Sequence, residues 1–236
     1  MISISITTNR SGYWLRFCEA VARNDVELEV IFVGPVAALP KEELPVLTRF
    51  IDVPADFCPA LCWEIGAREA RGELLGLSCD DFVFSAGFLD AVAAELSKPH
   101  HEMDMVTARY VDNGKDSLHE QHMAGGEDMP LLPLAGFYTT ESYHKLGGID
   151  RRFVGALWDV DMYMHRYELG GRTFLLSEHE CAEVDNSSHS LCERFKSKDE
   201  LLLADLWPAP RHPSMKRALP RDSWPDWIYQ PERKSP

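Results

Sequence analysis

The sequence predicts a single-domain α/β protein with a mainly parallel twisted sheet and helices on both faces. Three observations favour this fold. Strand-like apolar segments alternate with amphipathic helical segments along the first 110 residues. The run LEVIFVG at residues 28 to 34 is apolar and ends in Gly and Pro, which is typical of a buried strand followed by a loop. The length of 236 residues suits one such domain.

The first part of the chain predicts strands and helices in regular order. Residues 2 to 7 alternate Ile and Ser, which is the two-residue period of a strand. Residues 13 to 23 place apolar side chains at helical spacing, and Pro59 is typical of the first turn of a helix. Ser85 is the predicted cap of a further helix. The remaining strands are predicted at 28–34, 49–54, 73–78 and 104–110, and the remaining helices at 59–71 and 85–96.

The second part of the chain is less regular. Residues 111 to 130 are polar and contain three glycines, so they predict a long loop that becomes protected when a ligand binds. Ser197 and Glu200 form a predicted capping box in front of the last helix. The other predicted elements are a strand at 133–138, a short helix ending at Gly147 and Gly148, a helix at 159–171 and a strand at 172–177. Residues 1–207 are thus the predicted domain, and residues 208–236 are a tail packed on the surface or partly mobile.

Charge and hydropathy limit the classes of function. The formal net charge of −14 repels a phosphate backbone, so nucleic acid is excluded as an expected partner. The same charge means that a nucleoside diphosphate needs a cation beside it. No apolar run is long enough to predict a transmembrane segment. The N-terminus MISISITTNR lacks the features of a secretion signal, so we expect a cytoplasmic protein.

The first candidate for a functional site is SCDDF at residues 78 to 82. Asp80 and Asp81 directly follow a predicted buried strand. In sheets of this kind, ligands bind at the carboxyl ends of the strands. Carboxylates are the ligands that Mg²⁺ and Mn²⁺ prefer. The alternative is a pair of loop acids, one of which caps the next helix.

The second candidate is the acidic pair Asp159 and Asp161, at the start of a predicted helix. Two positions along a helix correspond to a rotation of about 200° around its axis, so the carboxylates of both residues cannot face one cleft if both residues are helical. Asp159, at the very start, is freer to face a cleft, whereas Asp161 is better placed to stabilise the first turn. The alternative is that both are ordinary acids at a helix N-terminus.

Taken in order, these segments resemble the family 2 nucleotide-sugar glycosyltransferases of the GT-A fold. The resemblance covers roughly residues 1 to 207. It consists, in this order, of an A-x-G-E segment, an apolar strand followed by the acidic pair, a G-G-I-D-x-x-F segment, and a helix that starts with an acid, contains an Arg and ends at a Gly. The matching residues are Ala70, Gly72, Glu73, Asp80, Asp81, Gly147, Gly148, Asp150, Phe153, Asp159, Arg166 and Gly170.

The resemblance implies a metal-dependent, inverting transfer of a sugar from a nucleoside diphosphate sugar to an acceptor hydroxyl. Asp81 is then the main ligand of Mn²⁺ or Mg²⁺. His189 is the expected late metal ligand, with His179 as its rival. Asp159 is the expected general base. The expected donor-binding residues are Thr8, Asn9 and Asp80.

Three departures from the family pattern keep alternatives open. Cys79 stands where a strict D-x-D has its first Asp, Gly34 and Pro35 stand where an acid often follows the second strand, and Trp63 and Glu64 replace an Arg-Asn pair. One alternative is a catalytically silent relative that binds a sugar nucleotide or a partner. The other is a sugar nucleotidyltransferase, which the loop TTNRSGYW disfavours because it has one Gly and one Arg. Trp158 stacks on a sugar ring or belongs to the core.

Overall fold

The fold was analysed in a computed structural model, which describes residues 1–36, 43–112, 114–116, 133, 135–184, 191–208 and 216–225. Within these residues the strands are β1 Ile2–Thr7, β2 Leu28–Gly34, β3 Leu47–Asp52, β4 Leu74–Cys79, β5 Phe82–Phe84, β6 Met105–Asp112, β7 Lys115–Asp116, β8 Phe137–Thr139 and β9 Thr173–Glu183. The helices are α1 Trp14–Val21, α2 Pro59–Glu69, α3 Phe88–Leu96, α4 Thr140–Leu146, α5 Trp158–Glu168 and α6 Leu191–Leu206, with a 3₁₀ turn at Ser11–Tyr13 before α1.

The strands form one sheet in the order β3-β2-β1-β4-β8-β6-β9-β5, and β7 pairs with β6. The strands from β3 to β4 are parallel, and Thr7 lies opposite both Val33 and Cys79. The carboxyl ends of β1, β2 and β4 therefore meet at one edge. The other half of the sheet is mixed, because β8 runs antiparallel to its neighbours while β6 and β9 are parallel. The predicted single α/β domain is confirmed, and its sheet is parallel in one half only.

Helices cover both faces of the sheet, as predicted. Ile2, Ile4 and Ile6 pack with α1 and α3, while the alternate residues Ser3 and Ser5 are buried toward α2. Ser5 Oγ donates to the carbonyl oxygen of Trp63 at 3.1 Å. The Ile-Ser alternation is therefore not a division between core and solvent. It separates a face of large side chains from a face where small hydroxyls let α2 approach closely.

The boundaries of some elements differ from the prediction. The capping box is wrong, because α6 begins at Leu191 and includes both Ser197 and Glu200. The charged segment before LLLADLW is rich in Lys, Glu and Arg, which favour a helix. Ser85 does not cap α3, whose N-cap is Gly87 with a φ of 75°. None of the helices in the described ranges has both the length and the apolar content needed to cross a bilayer.

Candidate active site

The predicted acid pair lies at the edge where the parallel strands end. Asp80 is buried and accepts a hydrogen bond from Thr8 Oγ1 at 2.6 Å. Thr8 follows β1, and its hydroxyl in turn accepts from Trp14 Nε1 at 2.9 Å. Asn9 is exposed next to Thr8. The structure thus brings Thr8 into contact with Asp80, the first acid of the pair.

A cation that sequence reasoning missed connects the two acids. Arg10 Nη2 donates to Asp80 Oδ1 and, at 2.8 Å, to Asp81 Oδ2. Burial opposes the charge of Arg10, yet hydrogen bonds to both acids raise its pKa above the ordinary value. Burial also raises the pKa of Asp80, and the hydrogen bonds from Thr8 and Arg10 oppose this change. The only sequence signal was the position of Arg10 directly after a strand that ends at the site.

The missing acid at Gly34 has a steric explanation. A Cβ atom at this position would lie 1.7 Å from the carbonyl oxygen of Thr8. The close approach fixes Thr8, whose N–H donates to the Val33 carbonyl at 3.0 Å. Asp52, at the end of β3, lies opposite Gly34, and its Oδ1 accepts from the Val36 N–H at 2.9 Å. An acid therefore does lie at this edge of the sheet, but at the end of β3 and not at the end of β2.

The end of β9 adds further acidic groups to this edge. Val184 N–H donates to the Asp81 carbonyl at 3.1 Å, and Glu183 lies opposite Phe82. Burial raises the pKa of Glu183, and the charges of Asp81 and Asp112 raise it further. Its carboxylate accepts a hydrogen bond from the Tyr110 hydroxyl. A diphosphate that approaches this edge meets several carboxylates, so it needs positive charge at the site.

Of the two histidines considered as metal ligands, the structure describes His179 and not His189. His189 belongs to residues 185–190, which lie outside the described residues. His179 Nδ1 is 3.3 Å from Ser85 Oγ, and its ring packs beside Phe88. Within the described part of the chain, no group of three or more His, Cys, Asp or Glu side chains is arranged to hold a metal. The carboxylates of Asp80 and Asp81 nevertheless have the donor chemistry that a hard divalent cation takes, with substrate phosphates completing the shell.

Asp159 lies in the first turn of α5 and differs from the other acids. It is half-buried, and its Oδ1 accepts from the Val160 N–H at 2.9 Å. Burial raises its pKa to about 6 against these backbone hydrogen bonds. Leu157, the N-cap residue, has a φ of 59°, an uncommon left-handed conformation for a residue other than glycine. Among the described residues, none forms an ion pair with Asp159.

Two tryptophans connect the start of α5 to the end of β4. The rings of Trp63 and Trp158 are 4.7 Å apart, and both residues are buried. Trp63 Nε1 donates to the Ser78 carbonyl at 2.8 Å, two residues before Asp80. Trp158 therefore belongs to the core. The departure at Trp63 is part of the contact that positions the helix carrying Asp159.

Glu64, the second half of that departure, also has a structural role. It is buried, accepts from Arg68 Nε at 2.7 Å and accepts from the Ile149 N–H at 2.9 Å. The Tyr143 hydroxyl donates to Glu64 Oε2, the oxygen that also accepts from the Ile149 N–H, whereas Arg68 donates to Oε1. A Cβ atom at Gly148 would lie 2.6 Å from Glu64 Oε2, so the G-G-I-D segment packs directly on this carboxylate.

The acids Asp150 and Asp161 are held by arginines from the C-terminal tail. Arg217 Nε donates to Asp161 Oδ1 at 2.8 Å, and its Nη2 donates to Asp150 Oδ2 at 2.6 Å. Arg221 lies 3.0 Å from Asp161, and Arg152 pairs with Asp150. Burial opposes the charge of Asp150, but hydrogen bonds from Arg152 and Arg217 lower its pKa below the ordinary value. Both acids are structural, which leaves Asp159 as the acid of this segment without a cationic partner in the described residues.

Parallel strands with an acidic pair at their carboxyl edge, and helices on both faces, define a GT-A-like fold, the fold of nucleotide-sugar glycosyltransferases. Comparison with solved structures finds this fold in TarS from S. aureus, with a TM-score of 0.61 and 16% identity over 87% of this chain and 39% of TarS. TarS 1-349 in complex with UDP-GlcNAc matches with a TM-score of 0.61 and 15% identity over 88% of this chain and 67% of that chain.

GalNAc-T7 is a second solved neighbour with this fold. GalNAc-T7 in complex with UDP, GalNAc and Mn²⁺ matches with a TM-score of 0.65 and 12% identity over 89% of this chain and 48% of that chain. Our chain thus spans between 39% and 67% of the length of these three chains. No protein-family profile and no curated protein matches the sequence. At these identities the likeness establishes the fold.

Proposed function

We propose that this protein is a glycosyltransferase that moves a sugar from a nucleoside diphosphate sugar to an acceptor hydroxyl. The observation that carries the proposal is the contrast between the acids of the site. Asp80 and Asp81 pair with a cation at the strand edge, whereas Asp159 has no cationic partner in the described residues and a pKa of about 6. Acids with such different environments are suited to different chemical roles. The solved neighbours that bind UDP, UDP-GlcNAc and GalNAc support this substrate class.

Each acid has a proposed role in the transfer. Asp159 removes the proton from the acceptor hydroxyl, and a pKa of about 6 keeps it ionised at neutral pH while it remains basic enough for the task. Thr8, Asn9 and Asp80 contact the donor nucleotide. Attack assisted by this base, on the face opposite the leaving group, inverts the anomeric centre. The proposal includes membership of family 2, which the order of the sequence motifs supports.

The proposed metal is Mn²⁺ or Mg²⁺, held by Asp81 and completed by His189 and the donor phosphates. When bound, it would neutralise the charge that builds on the departing nucleoside diphosphate. The neighbour GalNAc-T7 was solved with Mn²⁺, which supports a divalent cation here. The domain assignment, with transfer by residues 1–207 and a tail at 208–236, and the cytoplasmic location stay predictions.

A catalytically silent relative is the second candidate. Arg10, which engages both acids of the pair, is the observation that favours it, because a cation from the protein itself already occupies the place of a metal ion between them. Such a protein would bind a sugar nucleotide and transfer nothing. A nucleotidyltransferase would instead release pyrophosphate from a nucleoside triphosphate and a sugar phosphate.

A donor screen tests the proposal. We expect one nucleoside diphosphate sugar to raise the melting temperature in the presence of Mn²⁺, because a ligand of the folded state stabilises it. We expect the same donor to give a glycosylated product, detected by mass spectrometry, with at least one sugar acceptor. Asp81→Ala should remove the effect of Mn²⁺ on donor binding. A wild-type protein that binds a donor and transfers from none would be a silent relative, and pyrophosphate release would identify a nucleotidyltransferase.

A further inference from the structure

Arg10 occupies a particular place in the candidate site. One nitrogen of its guanidinium, Nη2, contacts a carboxylate oxygen of each acid, Oδ1 of Asp80 and Oδ2 of Asp81. The second oxygen of Asp80 already accepts from Thr8 Oγ1. Within the described residues, both oxygens of Asp80 therefore have hydrogen-bond partners, and Arg10 offsets one of the two negative charges of the acid pair.

A divalent cation and this guanidinium compete for the same two carboxylates. A hard cation binds one or two carboxylates of a site directly, and the charge-assisted bonds of Arg10 to Asp80 and Asp81 must be weakened or broken to admit it. A second positive charge within a few ångströms of Arg10 also costs free energy in a partly buried site. The two cations are therefore expected to exclude each other.

Arg10 can leave the acid pair without losing all its contacts. Its side chain is 34% exposed, and it belongs to the short connection between β1 and α1. Its guanidinium lies 4.5 Å from the centre of the Tyr13 ring, which is the distance of a cation–π contact. This contact exists together with the contacts to the acids, and the guanidinium can keep it when it moves away from them.

We propose that Arg10 is an internal counter-cation that competes with a divalent metal ion for Asp80 and Asp81. Metal binding displaces the guanidinium, which then pairs with the phosphates of the donor. The metal is weakly bound alone and more strongly bound with a nucleoside diphosphate, since the nucleotide gives the displaced Arg10 an anionic partner. This inference rests on the metal site of the proposed function, but it concerns metal affinity and not sugar transfer.

The test is a titration with Mn²⁺ alone, in which electron paramagnetic resonance measures the free ion. Arg10→Met should bind Mn²⁺ about tenfold more tightly than the wild type, because the charge-assisted bonds of Arg10 no longer have to be broken. Arg16→Met is the matched control. Arg16 contacts the same Tyr13 ring at 4.6 Å, and no hydrogen bond or ion pair of it with Asp80 or Asp81 is found in the described residues. Arg16→Met should leave the affinity for Mn²⁺ unchanged.

Arg10→Lys provides a second, charge-conserving variant if Arg10→Met folds poorly. It should bind Mn²⁺ nearly as weakly as the wild type, and Arg10→Gln should bind as tightly as Arg10→Met. Equal or weaker Mn²⁺ binding after loss of the charge would overturn the inference, and so would the absence of Mn²⁺ binding in every variant. If Arg10→Met binds more tightly while no donor gives a product, the inference stands and the proposed enzyme activity fails. If sugar is transferred while the affinities are equal, only the inference fails.

Discussion

The buried ion pairs of the C-terminal tail predict a large loss of stability when Arg217 is replaced. The side chain of Arg217 is 4% exposed and bridges two fully buried acids, Asp150 and Asp161. Removing one partner of a buried pair costs about 3 to 5 kcal/mol. Asp150 keeps Arg152 and Asp161 keeps Arg221, so we expect the lower end for Arg217→Met, about 3 kcal/mol.

Urea denaturation and calorimetry measure this loss. For a chain of this length, about 3 kcal/mol lowers the melting temperature by roughly 6 to 12 °C. The matched control is Arg151→Met, which breaks the 2.7 Å pair between Arg151 and Asp222, two side chains that are 48% and 39% exposed. An exposed pair contributes at most about 1 kcal/mol. If Arg217→Met costs no more than Arg151→Met, the tail does not stabilise the domain through these acids.

The same network gives the stability a pH dependence. The pKa of Asp150 is lower in the folded protein than its ordinary value, because Arg152 and Arg217 favour its charged form against burial. Its contribution to the free energy of unfolding is therefore fully present above a pH of about 4, the ordinary pKa of an aspartate, and is lost as the pH falls below it. In Arg217→Met this acid-induced loss should be smaller than in the wild type.

Two further predictions concern the strand edge and the base. Gly34→Ala should destabilise the protein by about 3 kcal/mol and weaken donor binding, because the added Cβ would lie 1.7 Å from the Thr8 carbonyl oxygen. The control is Gly12→Ala, whose added Cβ would have no atom within 4 Å and should change the stability by less than about 0.5 kcal/mol. Equal melting temperatures for the two variants would contradict the steric explanation. Wild-type transfer should fall about tenfold per pH unit below a pH of about 6, as Asp159 becomes protonated. A rate that is flat down to pH 5 would exclude Asp159 as the titrating base.

The first half of the fold was predictable because its signals are local. LEVIFVG is an apolar run that ends in Gly and Pro, the Ile-Ser segment shows the two-residue period of a strand, and both are strands. β5 was missed because three residues show no period and because its partner β9 is about 100 positions away in the sequence. A two-residue connection usually joins the strands of an antiparallel hairpin, whereas β5 pairs with β9 and not with β4.

The site was predictable where strand ends carry the chemistry and hidden where distant residues meet. Asp80 and Asp81 were found because they directly follow a buried strand. Arg10 was missed because its partner Asp80 lies 70 residues along the chain. The structural use of Asp161 depends on Arg217, 56 residues away in a segment without any period. Pairing between a loop and a tail leaves no pattern in the sequence.

The proposed role of Asp159 as the base of a sugar transfer is tested by a comparison of two variants with the wild type. Asp159→Asn keeps the size and the hydrogen bond to Val160 but cannot accept a proton. The matched control is Glu141→Gln, which removes an exposed acid from the first turn of α4. Initial rates of sugar transfer and donor affinities are measured for both variants and for the wild type.

We expect Asp159→Asn to lower the transfer rate by about 10² to 10⁴, the usual contribution of a positioned acid or base. Donor affinity should stay near that of the wild type, and Glu141→Gln should transfer normally. Loss of donor binding together with transfer would instead indicate a structural acid at the start of α5. A transfer rate in Asp159→Asn equal to that of the wild type would show that Asp159 is not the base.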